Sequence, residues 1–546
     1  MSSEQGEALR QGARDGALLG VGALASAGLG LVSLRLLVTG LSPADYGRYA
    51  LFLTLGGLLG LPLLWPTHAV LRLGSEEAER GGRGAETLGS VGAVVLAALL
   101  AVSLALVAAQ ALLPEAALAW LEVRLVAREL WPLALLFAAL SAGANLGYTL
   151  LQPFGRNHLR TLLPALPRLL YAAALLWAVA SGAGLDLPRA AWLATLTIAP
   201  VLVVAPLLVR PGLPRPRAHG ARRAVDFGAP LLLRNLGVAG VLYVDLLVLK
   251  AFLGDAAVGR YQVAYAVGEQ VVAFGFVLTF LAGPALARAA VRGEVEPLRR
   301  FYQLVAPPLV WLWCLGAGLG IVLARPLLAL LGGGAESAAV LEVLMLAVAI
   351  RGAAVLEIAV FEAHLLSRWP TAFFALGFLL NLGLDVALLR AGWGLTAPAL
   401  ATVAGFLLQA ALRAGYARRR FDVPAFRPYL ALAPVALVLA AQRAGGWPAG
   451  ALAWALVVAG TLTLGRRTRL FSRDAQPALA EVRMPAALRR FAVWLHAGPA
   501  HAGPAHPGPA HPGPARPGPA HPDPAHPCPA QPDPVHPTPP SAAEGP

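Results

Sequence analysis

Charge is what this sequence has least of. Only 13% of its 546 residues are charged, against about 25% in an ordinary soluble domain. Meanwhile 58% are hydrophobic and the mean hydropathy is +0.66. No soluble fold has enough interior to hide that much apolar surface, so a water-soluble enzyme is excluded. Lysine is almost missing: of 43 basic residues only Lys250 is not arginine. With the abundant Ala, Gly and Pro, this reads as a genomic composition bias rather than as chemistry. Cysteine is nearly absent too. Cys314 lies in an apolar run and Cys528 in the tail. Neither has a partner at metal-ligand or disulfide spacing, so no metal site, disulfide framework or cofactor is expected. Strict alternation is missing, which excludes a β-barrel. Long loops are missing as well, and with them the room for a soluble catalytic domain, so the chain is not expected to be an enzyme. No cleavable signal peptide is expected, because the first apolar run starts near residue 16 and is too long for one.

What is present is a series of continuous apolar runs of the ~20 residues that a helix needs to span a bilayer. Fourteen are expected, over 16–38, 47–70, 87–112, 130–151, 159–181, 189–209, 225–252, 260–286, 302–324, 338–363, 370–389, 394–416, 428–442 and 447–465. The thirteenth is short, and twelve spans plus a re-entrant hairpin is the alternative. The expected fold is all-α and polytopic. With the N-terminus in the cytoplasm, the even-numbered loops carry twenty arginines, against nine basic residues in the odd-numbered loops and adjoining helix ends. That asymmetry implies both termini in the cytoplasm. It also absorbs the formal charge of +14 without any nucleic-acid partner.

One stretch has an echo. SPADYGRYALF (42–52) returns as GDAAVGRYQVA (254–264), so Gly47-Arg48-Tyr49 lies over Gly259-Arg260-Tyr261, 212 residues later. Each triplet opens an apolar run, the second and the eighth. Residues 16–209 and 225–416 then read as two parallel six-helix units, a transporter signature with the substrate site between them. Around them lie a cytoplasmic N-terminus (1–15), a basic cytoplasmic linker (210–224) and two additional helices (417–465). A basic amphipathic segment (466–496) suits the cytoplasmic lipid surface; ordinary positive-inside flanking charge is the plainer reading. From 497 follows a disordered Pro-rich tail containing eight pentads such as HPGPA. Its histidines stand ~15 Å apart in polyproline II, too far for one metal ion, so neutral repeat expansion is favoured.

Charges inside spans are costly and are the default candidates for function. They are Arg35, Arg168, Arg234, Asp245, Glu269, Arg351, Glu357, Glu362 and Asp385. Arg234 and Asp245 lie 11 residues apart, as do Arg351 and Glu362. Each pair therefore shares one helix stripe, ~16 Å apart along the axis. Arg234 and Arg351 near midspan suggest a wet cationic cavity; the competing reading is that each arginine neutralises a neighbouring acid. An amphipathic anion fits such a cavity, because the arginine fork matches phosphate. The five acids, Asp245, Glu269, Glu357, Glu362 and Asp385, are candidates for carrying coupling protons or cations.

The segment Arg35 to Tyr49, with its Pro43-Ala44-Asp45-Tyr46-Gly47-Arg48-Tyr49 run, resembles the first-helix boundary of bacterial polysaccharide (O-antigen) flippases. Asp245 to Tyr261 looks like their seventh-to-eighth helix boundary. These proteins belong to the multidrug/oligosaccharidyl-lipid/polysaccharide flippase superfamily. The resemblance covers about 15–465, and the tail has no counterpart in it. It implies two six-helix bundles in a V plus two extra helices, in the bacterial inner membrane. It implies alternating access that carries an undecaprenyl-pyrophosphate-linked oligosaccharide to the outer leaflet, with membrane lipids and a polysaccharide polymerase or export machinery as further partners. By analogy Arg35, Arg234 and Arg351 would engage the pyrophosphate, although only Arg35 and Asp245 lie in segments that match a family pattern. A lipid II flippase of peptidoglycan synthesis is the alternative. A drug-cation antiporter would favour an acidic, aromatic cavity. A membrane glycosyltransferase or polymerase would need a larger outer loop, and a non-transporting scaffold would need its charges purely paired.

Overall fold

The computed structural model describes residues 3–464 apart from 155, 211–213, 273–294 and 364–367. Within described helices the side chains of 3–21 and of some further residues, including Arg234 and Glu362, lie outside the described set. So do the juxtamembrane segment 466–496 and the tail.

The described residues form helices and no strands. In chain order they are α1 (Ser3–Gly40), α2 (Pro43–Leu64), α3 (Val70–Glu79), α4 (Ala85–Leu112), α5 (Glu115–Arg124), α6 (Trp131–Leu151), α7 (Asn157–Leu162), α8 (Ala165–Ala180), α9 (Leu187–Leu196), α10 (Ala199–Val209) and α11 (Ala218–Leu253). Then come α12 (described over 255–272), α13 (Glu296–Arg300), α14 (Ala306–Leu331), α15 (Ala335–Ala363), α16 (Arg368–Arg390), α17 (Ala397–Phe421) and α18 (Leu432–Leu464). Each of the fourteen expected segments carries helix in its described part. Among the described residues, ten helical stretches are long and apolar enough to cross a membrane. Their outer faces stay greasy: Leu96, Leu100 and Val107 on α4 are all more than 60% exposed. Such a surface is a liability in water and costs nothing against lipid tails. The chain is a multi-pass helical membrane protein.

Local chemistry starts and stops the helices. Ser42 caps α2 by accepting the Asp45 N–H at 3.1 Å, with Pro43 at the first helical position. Asp186 caps α9 in the same way. The start of α4 is capped from a distance: the buried Glu77 carboxylate accepts the N–H groups of Gly84, Glu86 and Thr87. In the connection before α6, Arg128 donates to Glu115 and Glu122, and holds the Glu122 carboxyl below the usual carboxylate range.

Helix α18 is two helices. Gly446 (φ 68°, ψ −162°) breaks it, a conformation that favours glycine. Val435 and Val438 before the break, and Trp454 and Val457 after it, face the same stretch of α14 around Cys314 and Leu315. Trp311 donates to Thr461 at 2.7 Å, and Trp454 to the Leu315 carbonyl at 3.0 Å. The chain therefore doubles back at Gly446. Buried Glu342 on α15 pins this hairpin by pairing with Arg325 on α14 (3.3 Å) and Arg443 on α18 (3.2 Å).

Helices α1, α2, α6, α8 and α10 pack among themselves, as do α14 to α18. Helix α11 joins the two sets. It lies along α16, and it also meets α4 and the Trp65–Ala69 turn. Near its start Arg223 grips Glu76 through two bonds of 2.6 Å.

Candidate functional site

The echo is a contact. Glycine 47 on α2 and Gly259 on α12 face each other where the two helices cross. A Cβ on Gly47 would stand 2.0 Å from the Asp255 carbonyl oxygen, and one on Gly259 would stand 2.0 Å from the Pro43 carbonyl oxygen. Asp255 is to the second motif what Pro43 is to the first, so the contact is reciprocal. Both positions need glycine because backbone touches backbone. Arg48 clasps the crossing by reaching Asp255 across it (3.1 Å) and Asp45 on its own helix (3.3 Å). Lys250 also pairs with Asp255. Arg260 instead reaches Glu336 on α15 at 2.9 Å.

The two motif tyrosines are buried and have different partners. Tyr49 shares a 2.8 Å hydrogen bond with Tyr171 on α8. Tyr261 donates to Asp245 at 2.7 Å, and Thr402 on α17 donates to the same oxygen at 2.7 Å. With its amide turned to satisfy both ends, Asn381 on α16 donates to the other Asp245 oxygen at 3.2 Å and accepts the Thr402 N–H at 3.0 Å. Asp385, one turn along α16, is buried beside Asp245, and neither of its oxygens meets a donor among the described residues.

Arg351 meets an acid. Its Nη1 lies 2.5 Å from Glu269 on α12, and its guanidinium stands over the Phe406 ring. Tyr265, Val348 and Thr402 line the same narrow pocket, which places this pair next to the Asp245 cluster. Glu357 stands apart from it, accepting from Tyr429 at 2.7 Å. Arg35 is exposed on α1, with no ion pair among the described residues. Arg234 and Glu362 lie outside the described side chains.

Sequence reasoning missed several members. Asn381, Thr402 and Tyr429 carry no charge and look ordinary in apolar runs. Arg413 was expected among the loop arginines. It is instead 2% exposed inside α17, bonded to Gln409 (2.8 Å) and lying over Phe374. Its place one and a half turns before Arg418 made it resemble the end of a span.

No protein-family model and no curated protein matches this chain. Solved structures do. A lipid II flippase, MurJ, in an inward closed conformation, aligns over 83% of this chain and 99% of its own, with TM-score 0.62 and 13% identity. An inward-facing multidrug resistance MATE family transporter of the MOP superfamily aligns over 72% and 94%, with TM-score 0.57 and 16% identity. A MOP superfamily transporter from Pyrococcus furiosus, described as having a binding pocket of reverse polarity, aligns over 75% and 96%, with TM-score 0.53 and 16% identity. At these identities the likeness is one of fold.

Proposed function

We propose that this chain is a flippase that carries an undecaprenyl-pyrophosphate-linked oligosaccharide from the cytoplasmic to the outer leaflet of the bacterial inner membrane, for surface polysaccharide such as O-antigen. The observation that carries this reading is the fold, which is shared over most of the chain with a lipid II flippase and with transporters of one superfamily. The halves 16–209 and 225–416 are the two moving bodies, and the additional helices 417–465 ride on the second. The arginine asymmetry of the loops puts the Gly47–Gly259 crossing on the outer side. A substrate made in the cytoplasm would enter between the halves from the side where Arg223 and Glu76 hold α11 to the first half. Arg35, with no acidic partner among the described residues, supports an anionic cargo. Of the five candidate acids, Asp245 and Asp385 form the coupling site, since a proton or cation relieves their repulsion. A lipid II flippase is the second reading, favoured by the alignment with that protein. No covalent step is assigned to the chain.

The test is reconstitution in liposomes with fluorescent undecaprenyl-pyrophosphate oligosaccharide or with fluorescent lipid II, following protection from an impermeant quencher. Faster translocation of the oligosaccharide than of lipid II supports the first reading, and the reverse order supports the second. No acceleration of either lipid, by folded protein under an imposed proton or sodium gradient, overturns both.

A further inference from the structure

Arg168 sits in the first turn of α8, where that helix meets α1 and α12. Its Nη1 donates to the Ser26 carbonyl on α1 (3.1 Å) and to Gln270 Oε1 on α12 (3.3 Å). Both acceptors are neutral. Among the described residues no carboxylate pairs with it, and the titratable side chain that acts on it is the phenol of Tyr148. The Nε and Nη2 hydrogens, which share the edge of the guanidinium that fits two phosphate oxygens, have no acceptor among the described residues. Arg351 differs: its charge is met by Glu269.

Position strengthens the contrast. Glu269 and Gln270 are consecutive on α12, about ten residues past Gly259, or ~16 Å along the helix. That is roughly half of a ~30 Å hydrocarbon core. At one depth, α12 turns a carboxylate toward Arg351 in the second half and a neutral amide toward Arg168 in the first. Arg168 is exposed in the first turn of α8, and an arginine among apolar helices is costly unless water or a counter-charge meets it.

We propose that Arg168, seated by the Ser26 carbonyl and Gln270, binds the pyrophosphate of a polyprenyl-linked substrate through its free Nε–Nη2 edge. This deepens the flippase reading and rests on it. It makes the first half, at the α1–α8–α12 seam, the anion-holding side of the cavity. The neighbouring residue Gln270 keeps the site cationic by being an amide rather than an acid.

The full chain in nanodiscs is titrated with undecaprenyl pyrophosphate, inorganic pyrophosphate and undecaprenol, and its thermal midpoint is recorded. Arg168→Gln should weaken undecaprenyl pyrophosphate binding by about tenfold or more, with undecaprenol binding unchanged. Gln270→Glu sets a carboxylate against the guanidinium and leaves Arg168 in place. It should raise the thermal midpoint and weaken pyrophosphate binding by a similar factor. If Arg168→Gln does not fold, Gln270→Glu carries the test alone. A raised midpoint with binding unchanged within about twofold would show a purely structural arginine and overturn the proposal, with translocation by the wild type leaving the flippase reading intact. Inorganic pyrophosphate binding as tightly as the lipid would overturn the assignment to a lipid-linked ligand. Wild-type protein that neither binds nor moves any pyrophosphate lipid would overturn the flippase reading together with the site.

Discussion

At the scale of single residues, the chain sorts its buried charges into pairs and exceptions. Asp245 is held by three donors, while Asp385 beside it has none among the described residues. An unsatisfied buried carboxyl is costly, so it is retained for what it can bind. Asp385→Asn supplies the missing donor. It should leave the fold at least as stable and abolish the dependence of transport on an imposed proton or sodium gradient, measured as translocation rate with and without the gradient. Glu269→Gln strips the partially exposed Arg351 of its partner and should cost about 1–2 kcal/mol, read by chemical denaturation. The double variant Glu269→Gln, Arg351→Gln should recover part of that loss, because the stranded charge goes too. Asp245, Glu269, Arg351 and Asp385 were legible as charges in apolar runs. Their partners were not. Glu269 and Arg351 lie 82 residues apart, and no helical spacing relates them.

At the scale of elements, the repeated Gly-Arg-Tyr is legible as an echo, and its meaning lies in the fold. The sequence shows two helix starts alike; only the fold shows them laid across each other, each glycine under the other helix's first turn. Because the contact is reciprocal, Gly47→Ala and Gly259→Ala should act alike. Each should destabilise the closed crossing by about 1–3 kcal/mol, since a backbone clash cannot be relieved by a side-chain rotation. Cysteine accessibility at Ala44 should rise equally in both variants. The expectation for 417–465 was two additional helices or a re-entrant hairpin; in the structure the chain turns at Gly446 and returns along α14. Glu342→Gln should loosen this hairpin more than Arg443→Gln does, because one buried carboxylate serves two arginines. Hydrogen exchange over 432–464 reads that difference. Outside the membrane, the Arg128–Glu122 contact depresses the carboxyl. Its contribution is therefore present above the unfolded pKa and lost as pH falls through the lower folded value, so the connection before α6 should loosen only in acid.

At the scale of the whole molecule, the apolar exterior and the helical fold agree with the composition. The fold class followed from composition alone, because nothing but lipid tolerates such a surface. The cargo did not. Substrate choice depends on which charges stay unpaired once the helices pack, and the sequence, which favours Arg351, does not show that Arg351 meets Glu269 while Arg168 meets neutral acceptors. Alternating access about the Gly47–Gly259 crossing is the claim on which the rest depends. Its most direct test is the distance between spin labels at Ala44 and Ala256, equivalent positions on the two sides of the crossing. With undecaprenyl-pyrophosphate oligosaccharide present in nanodiscs, a second, longer distance population should appear, and undecaprenol should not produce it. A single short distance that persists with every lipid and under every ion gradient, in protein that still translocates the oligosaccharide, would contradict it.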